Sequence, residues 1–341
     1  MKKPSLRDIA LESGVSFKTV SRILRGETEN HRKRTCEQVW AVANRLQYRP
    51  NLAAGAVFGR KTKTVGIMIP FGYEGDFFGR IVKGAHDELM KNKYAPILVF
   101  ATGELDLREQ IHRLIDRRVD GILLRPMYEK VDDILLEEVI NRELPLVIVM
   151  RPTDMRGRVD FVGFDDYEVG RAAAQHLLGL GHKNAVFLGI DQTDTIIPES
   201  IIGRRWTGFH DTISAAGGKP ILEYRNRTGV NPFLMATEVL EREPQVTGIF
   251  TPLDRLSLGI YAAALKKNLR IPEDLSVIGC ANMDYTPFMV PPLTTIDLHP
   301  EAMGATATKR LISRIEGEKE PAMEIMIAPA LIKRESTATV K

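Results

Sequence analysis

A short stretch near the amino terminus places polar, basic and aromatic side chains at a spacing suited to reading DNA. Its periodicity predicts an amphipathic helix that turns Phe17, Lys18, Ser21, Arg22 and Arg25 outward. Guanidinium and ammonium groups bind guanine O6 and N7 in the major groove, and they bind phosphates whatever the base sequence. The pattern therefore predicts a basic DNA-reading face.

This helix is predicted to be the second of a helix-turn-helix. Ser5 is placed to cap the first helix, with Asp8 three residues later, and Ser16 to cap the second. Gly14 lies between the helices, where the chain commonly needs a left-handed conformation. A third helix, from Thr35 to Leu46, has apolar residues at helical spacing, which predicts a small three-helix core. These residues are Cys36, Val39, Trp40, Ala43 and Leu46.

Charge is divided unevenly along the chain. The residues up to Lys63 include 14 Lys and Arg against 5 Asp and Glu, whereas residues 64–341 hold 33 basic and 39 acidic residues. A basic module on an acidic body fits electrostatic capture of phosphates. The densest basic run is His31, Arg32, Lys33 and Arg34. A solvated loop is the alternative for this run, but its place beside a helix-turn-helix favours phosphate contacts.

These fifty residues resemble the LacI/GalR family of bacterial transcription regulators. The resemblance implies that the second helix lies in the major groove, where Phe17, Lys18 and Arg22 would read bases. Hydroxyl side chains of the same helix would contact phosphates: Ser16, Thr19 and Ser21. Core packing is the alternative for Phe17. The residues that carry the resemblance are Leu6, Asp8, Ile9, Ala10, Gly14, Val15, Ser16, Thr19, Val20, Ser21, Arg22, Tyr48, Pro50 and Asn51.

Residues 50–63 follow this module, and the resemblance implies that they form a hinge helix or linker. Family hinges order on operator DNA, pair with their twin in a dimer and insert an apolar side chain into the minor groove. Asn51, Ala54 and Val57 would then lie at the DNA. Val57 departs from the customary Leu, so its shorter side chain would fill an opened base step less completely. A plain flexible linker is the alternative.

Residues 64–341 alternate short apolar runs with amphipathic segments, which predicts an α/β fold of doubly wound parallel sheets that bind ligands at the carboxyl ends of their strands. The predicted strands are Thr64 to Ile69, Ile97 to Phe100, Gly121 to Leu124, Leu146 to Met150, Ala185 to Leu188, Gly248 to Phe250 and Leu275 to Gly279. The predicted helices are Phe78 to Lys91, Leu107 to Arg117, Val169 to Leu180, Arg205 to Ala216 and Leu256 to Lys267.

The resemblance sharpens this to a DNA-binding domain at 1–49 and a type I periplasmic-binding-protein-like core at 64–341. The core would consist of two doubly wound parallel-sheet subdomains, with the chain crossing between them near Phe161, Thr295 and Met323. The predicted N-subdomain comprises residues 64–160 and 296–322, and the C-subdomain residues 161–294 and 323–341.

The resemblance also assigns residues to an effector cleft: Phe77, Phe78, Asp165, Arg205, Asp254 and Asn282. The planar fork of Arg205 suits paired hydroxyls or a carboxylate, and a surface salt bridge is the alternative. For the two phenylalanines the alternative is core packing, and for Asp254 it is a helix cap.

Two departures bear on the effector. Leu253 stands where sugar-responsive members usually have Asn, and Cys280 and Ala281 interrupt their usual Gly-aromatic-Asp-Asp run. At these places the hydroxyl groups of a bound sugar would lack hydrogen-bond partners, which weakens its binding. A sugar effector, a non-sugar effector and a little-used cleft all stay open.

Composition and motifs exclude several other classes. The two cysteines, Cys36 and Cys280, lie in different modules at positions expected to be buried, which argues against a disulfide framework and a metal site. No apolar run follows the amino terminus, so a cytoplasmic protein without a membrane segment is expected. We find no metal-binding histidine pair, nucleophile elbow or phosphate loop, and expect neither catalysis nor a cofactor.

The sequence therefore predicts a transcriptional regulator that acts as a repressor and binds a pseudo-palindromic operator. One reading helix covers few base pairs, and the chain ends without heptads, so a homodimer is expected. Two rivals stay open. A solute-binding receptor would have the same body without operator recognition, and an enzyme would need a partner for the acidic pair Asp165 and Asp166.

Overall fold

The computed structural model describes residues 4–49, 61–70, 76–101, 104–126, 133–150, 157–191, 193–228 and 230–340. The chain divides into two compact units, Met1–Thr62 and Lys63–Lys341. Asn51, Ala54 and Val57, assigned to the hinge by resemblance, lie outside the described residues, and their roles stay predictions.

The first unit contains helices α1 (Leu6–Ser13), α2 (Phe17–Ile23) and α3 (Lys33–Arg45). The predicted caps are confirmed. The backbone N–H of Ser5 donates to the Asp8 carboxylate over 2.7 Å, and the N–H of Thr19 donates to the Ser16 hydroxyl over 3.2 Å. Gly14 ends α1 with a φ of 66°, the left-handed region that glycine adopts at low cost.

The core of this unit is made of buried aliphatic side chains from all three helices: Ile9, Val20, Ile23, Leu24, Val39 and Ala43. Four burial predictions were wrong. Ser21 is buried rather than exposed, and its hydroxyl accepts a hydrogen bond from Arg25 one turn later. Trp40 is 40% exposed, and Cys36 and Leu46 are only half-buried, because the fully buried stripe of α3 consists of Val39 and Ala43.

The second unit alternates strands and helices. Its strands are β1 (Thr64–Pro70), β2 (Ala95–Ala101), β3 (Gly121–Leu124), β4 (Leu146–Val149), β5 (Asp160–Gly163), β6 (Asn184–Asp191), β7 (Lys219–Asn226), β8 (Gly248–Phe250), β9 (Ser276–Cys280), β10 (Thr294–Asp297), β11 (Glu324–Met326) and β12 (Ala330–Ile332). Its helices are α4 (Asp76–Lys91), α5 (Glu104–Asp116), α6 (Asp133–Asn141), α7 (Asp166–Gly179), α8 (Ile201–Ala215), α9 (Pro232–Arg242), α10 (Asp254–Lys266) and α11 (Pro300–Ile315).

The strands form two sheets, which confirms the predicted pair of doubly wound subdomains. The first sheet has the order β11-β5-β4-β3-β1-β2 and is parallel at every described pairing. The second has the order β12-β10-β9-β8-β6-β7 and is parallel except where β12 runs against β10. Among the described helices, none combines the length and apolar composition that a bilayer crossing needs.

The chain passes from one sheet to the other after β5, after β10 and after β11. The crossings were predicted near Phe161, Thr295 and Met323, which lie inside or directly before these strands. The predicted subdomain boundaries therefore cut the crossing strands short. These strands are short and two of them begin with acidic residues, so apolar runs did not mark them. The last strand residues before the crossings are Gly163, Asp297 and Met326.

Helix α8 is held rigidly in the second subdomain. It packs closely on α7, where a side chain at Gly170 would collide with the backbone carbonyl of Arg205. On its other side, Phe209 packs on Phe250, whose ring also meets that of Phe187 at 5.5 Å between centroids. Close packing from two sides fixes the backbone from which Arg205 projects.

Candidate DNA-reading face and ligand cavity

The exposed face of α2 carries the predicted base readers. Phe17 is 51% exposed and absent from the core of its unit, so the core-packing alternative is wrong. Lys18 and Arg22 are exposed as well. Arg22 Nε lies 3.8 Å from the Glu27 carboxylate, and Arg25 Nη1 lies 3.7 Å from the same group. Exposed ion pairs of this kind are weak, so both arginines can exchange Glu27 for DNA at low cost.

A second positive region lies at the start of α3. Arg32 is the N-cap residue of this helix, is exposed and makes no side-chain capping bond. Lys33 and Arg34 are exposed beside it, and His31 is half-buried. Their charges add to the positive end of the helix dipole, an arrangement that favours anions such as phosphates.

The second unit contains a cavity of about 510 Å³, within the size range of small-molecule sites. Residues at or just beyond the carboxyl ends of strands from both sheets line it: Arg125 after β3, Met150 after β4, Asp191 at the end of β6, Pro252 after β8 and Cys280 at the end of β9. The cavity therefore lies between the two subdomains, where doubly wound sheets bind ligands.

Phe77 and Phe78 line this cavity at the start of α4. Their rings meet edge to face, with centroids 5.6 Å apart. Both side chains are also part of the main apolar core. The two interpretations of these residues are therefore compatible, because each ring packs on the core and contributes to the cavity wall.

Arg205 projects from α8 to the cavity and is only 3% exposed. Its Nε donates to Asp166 Oδ1 over 2.8 Å, and its Nη1 donates to the Pro252 carbonyl over 2.7 Å. Among the described residues, none accepts from Nη2. Burial raises the pKa of the Asp166 carboxyl, and the neighbouring guanidinium opposes that shift. Because this ion pair is buried, the surface salt-bridge alternative is wrong.

Asp254 lines the cavity at the start of α10, but it does not cap that helix. Leu253 is the N-cap residue and Asp254 is the first helical residue, so the helix-cap alternative is wrong. Its Oδ1 accepts from the Thr295 hydroxyl over 2.7 Å, and its Oδ2 accepts from the Met283 N–H over 2.9 Å. Burial raises the pKa of Asp254 to about 6, although these hydrogen bonds oppose the shift.

Asp165 does not line the cavity, contrary to its assignment. It is the N-cap residue of α7, where its carboxylate accepts from the Tyr167 N–H over 2.9 Å. Arg204 pairs with the same carboxylate over 2.9 Å. The next residue, Asp166, has the buried position instead and holds Arg205.

Asn282 is also absent from the cavity lining and serves to connect structural elements. Its Nδ2 donates to Asp297 over 3.0 Å, and its Oδ1 accepts from Arg334 over 2.7 Å. Its backbone carbonyl accepts from Arg80 Nη1 over 3.0 Å, while Arg80 Nε donates to Glu301 over 2.8 Å. Asn282 therefore ties the loop after β9 to both subdomains.

Several cavity residues were not predicted from sequence: Arg125, Met150, Ile190, Asp191, Arg227, Met283, Tyr285 and Leu298. The rule that ligands gather at strand carboxyl ends could have found Arg125 and Asp191, because each follows or ends a central strand. No sequence signal marks Tyr285. The cavity wall also includes Ala281, whose φ of 117° is a conformation that essentially only glycine adopts without strain.

Metal binding has no support in the part of the chain that the structure describes. We find no cluster there of three or more His, Cys, Asp or Glu side chains that could hold a metal ion. Cys36 and Cys280 are both free thiols. Burial raises the pKa of the Cys280 thiol to about 12, so it lines the cavity as a neutral, weakly polar group.

Comparison with known proteins gives two family matches. Residues 5–51 match the model of bacterial regulatory proteins of the lacI family, and residues 174–337 match a periplasmic binding protein-like domain. The HTH-type transcriptional repressor PurR of Edwardsiella ictaluri is 26% identical over 339 residues, which cover 98% of this chain and 97% of that protein.

Solved structures agree in fold over the full length. The transcriptional regulator CelR in complex with cellobiose is 26% identical with a TM-score of 0.70, covering 98% of this chain and 99% of that one. The lac repressor dimer bound to operator and the anti-inducer ONPF has a TM-score of 0.83 at 22% identity, covering 99% of this chain and 100% of that one.

Proposed function

We propose that this chain, which belongs to the lacI family of bacterial regulatory proteins, represses transcription as an operator-bound homodimer whose affinity for DNA responds to a small molecule in the cavity. The exposed base-reading face of α2 carries the proposal. Phe17, Lys18 and Arg22 are all accessible there, in a compact unit separate from the one that contains the cavity.

In the proposed complex, α2 lies in the major groove. Arg22 and Lys18 bind guanine O6 and N7, and Phe17 contacts a thymine methyl group. Phosphate contacts come from residues at the edges of this face: Ser16, Thr19, Arg25, His31 and Arg32. Ser21 is no longer included, since its hydroxyl is buried. Asn51, Ala54 and Val57 would act in the minor groove as the hinge orders.

Exposed apolar side chains support the proposed homodimer. Leu98 and Phe100 are exposed on β2, which is the edge strand of the first sheet. Leu258, Phe288 and Val290 are exposed on the second subdomain, and Val290 is 89% accessible. Exposed apolar groups and sheet edges of this kind are commonly covered by a partner chain. Two chains would present two reading helices to a pseudo-palindromic operator.

Regulation in this proposal comes from the cavity between the subdomains. A ligand that contacts Phe77, Phe78, Arg205 and Asp254 would favour one arrangement of the two subdomains over another. Differential affinity for the two arrangements is what couples the ligand to DNA binding.

The rival functions receive less support. A solute-binding receptor accounts for the two-sheet body but not for the lacI-family match at residues 5–51. An enzyme would need a free acid or base, whereas the buried member of the acidic pair, Asp166, is bound to Arg205. We therefore propose a cytoplasmic regulator without catalytic activity or cofactor, whose partners are DNA and a small molecule rather than a membrane.

Selection of duplexes from a random pool tests this function. The full-length protein should enrich one pseudo-palindromic sequence whose half-sites lie about one helical turn apart. Sedimentation of the protein with that duplex should give two chains per duplex. Equal recovery of all sequences at moderate ionic strength would contradict the proposal.

A further inference from the structure

Most charged side chains around the cavity already interact with the protein, and this limits the ligands that fit. Arg125, Asp191, Arg227 and Arg255 line the cavity, and each already interacts with other protein groups. Both oxygens of Asp254 accept hydrogen bonds from the protein. A sugar needs partners for many hydroxyl groups, and leaving buried hydroxyls unpaired costs binding free energy.

Most of the remaining wall is apolar. Aromatic rings form one part, and branched aliphatic, thioether and proline side chains form the rest: Phe77, Phe78, Met150, Ile190, Ile201, Ile202, Pro252, Leu253, Met283 and Leu298. Such a wall binds a ligand mainly through burial of apolar surface.

Donors on Arg205 and Tyr285 remain for a ligand, and the exposed carboxylate of Asp284 also lines the cavity. Arg205 uses Nε and Nη1 for Asp166 and Pro252, and no acceptor for Nη2 is present among the described residues. Tyr285 also lines the cavity, and its hydroxyl is buried without a hydrogen-bond partner in that same part of the chain. Arg205 and Tyr285 both donate, so together they match a ligand acceptor such as a carboxylate.

We infer that the effector of this cavity is a small carboxylate with an aromatic or branched aliphatic body, and not a sugar. Its body would pack on the apolar wall, and its carboxylate would accept from Arg205 and Tyr285. Charge-assisted bonds from a guanidinium to a carboxylate are about twice as strong as neutral ones. This effector class rests on the proposed function, since it identifies the ligand of the regulatory cavity.

Thermal unfolding and calorimetry of the full-length protein test the inference with chosen probes. The carboxylate probes are phenylacetate, hydrocinnamate and isovalerate. Binding of a probe to the folded state raises the midpoint temperature of unfolding. Acetate has the carboxylate without the aromatic or branched group, and phenethyl alcohol has the aromatic group without the carboxylate. Ribose, cellobiose and adenine represent the other classes. At least one carboxylate should bind at millimolar concentration, about tenfold more tightly than phenethyl alcohol.

A matched pair of variants separates ligand contact from structural effects. Tyr285→Phe removes one hydroxyl from the cavity and should weaken carboxylate binding about 2- to 10-fold. Tyr261→Phe removes a phenol whose hydroxyl donates to the Pro291 carbonyl over 2.9 Å, and Tyr261 does not line the cavity. That control should leave carboxylate affinity unchanged.

Saturable binding of a sugar or of adenine in preference to every carboxylate would overturn the inference, as would no binding of any carboxylate. Equal effects of Tyr285→Phe and Tyr261→Phe would also overturn it. The proposed repressor function fails by a different result, because loss of duplex selection is measured without ligand.

Discussion

Arg205 and Asp166 form a buried ion pair in which Nε donates to Oδ1 over 2.8 Å, and both side chains are at most 5% exposed. Arg205 comes from α8 and Asp166 from the first residue of α7, so the pair joins two closely packed helices beside the cavity. A charge in such a place is tolerated because its partner is held at hydrogen-bond distance. The pair therefore contributes to the stability of the fold and orients the guanidinium at the cavity.

Removal of one partner should be strongly destabilising. Asp166→Ala leaves Arg205 as an uncompensated buried charge, and we expect a loss of about 3–5 kcal/mol in the free energy of unfolding. Urea denaturation measures this loss. Asp165→Ala is the matched control, because Asp165 pairs with Arg204 near the surface, at 38% exposure, and caps α7. It should cost about 1–2 kcal/mol, most of it from the lost cap. Equal losses for the two variants would contradict the assigned burial.

The Asp254 carboxyl should make stability depend on pH. Burial raises its pKa from 3.8 to about 6, so between these values the folded state binds a proton that the unfolded state does not. The free energy of unfolding should therefore fall as the pH rises from about 4 to about 6, by up to about 3 kcal/mol from this group. Asp254→Asn removes the titration. Denaturation at several pH values in this range measures the free energy of unfolding of the wild type and of the variant. The difference between the two should fall as the pH rises, and a constant difference would contradict the prediction.

Ala281 should be a site where glycine stabilises the protein. Its φ of 117° strains any residue with a side chain, at a cost of order 1–3 kcal/mol. Ala281→Gly relieves that strain but adds entropy to the unfolded chain, so we expect a net gain of about 1 kcal/mol. The control is Ala262→Gly on the exposed side of α10, which should cost about 1 kcal/mol. Destabilisation by both changes would show that Ala281 is unstrained.

The hydrogen bond from Arg80 to the Asn282 carbonyl should hold the loop after β9 against the first subdomain. In Arg80→Met, the backbone amides of residues 281–283 should exchange hydrogen faster, because the loop loses this connection. Lys83→Met is the control on the same helix, since Lys83 is 66% exposed and pairs with Asp87 at the surface. Mass spectrometry after hydrogen exchange measures both. Unchanged protection in Arg80→Met would mean that the contact does not restrain the loop.

Much of the fold could be predicted from sequence, and the misses have physical causes. β3 and β8 were predicted with their observed bounds, because each is a buried apolar run between polar segments. β7 was missed because it is an edge strand of mixed polarity, and α11 because its buried face mixes aliphatic residues with glycine, threonine and arginine. β11 was missed because it is short and mostly exposed.

The site was harder to predict than the fold. Arg205 and Asp254 were assigned by resemblance and line the cavity. Asp165 and Asn282 were assigned in the same way but do not line it. A motif identifies a segment, but helix and strand geometry decide which of two adjacent side chains points inward. Ser21 was misplaced for a related reason, because it was assigned to the outer face of α2 from its polarity, although its hydroxyl accepts a hydrogen bond from Arg25 just after the helix.

The central claim is that α2 reads bases while the start of α3 binds phosphates, and the specificity of two arginine variants tests it most directly. Affinity for the selected operator and for random duplex would be measured for wild type, Arg22→Ala and Arg32→Ala across a range of salt concentrations. Arg22→Ala should lose about 1–3 kcal/mol of discrimination between the two duplexes. Arg32→Ala should weaken binding to both equally and reduce the salt dependence by about one unit of slope. Discrimination left intact in Arg22→Ala would contradict the account.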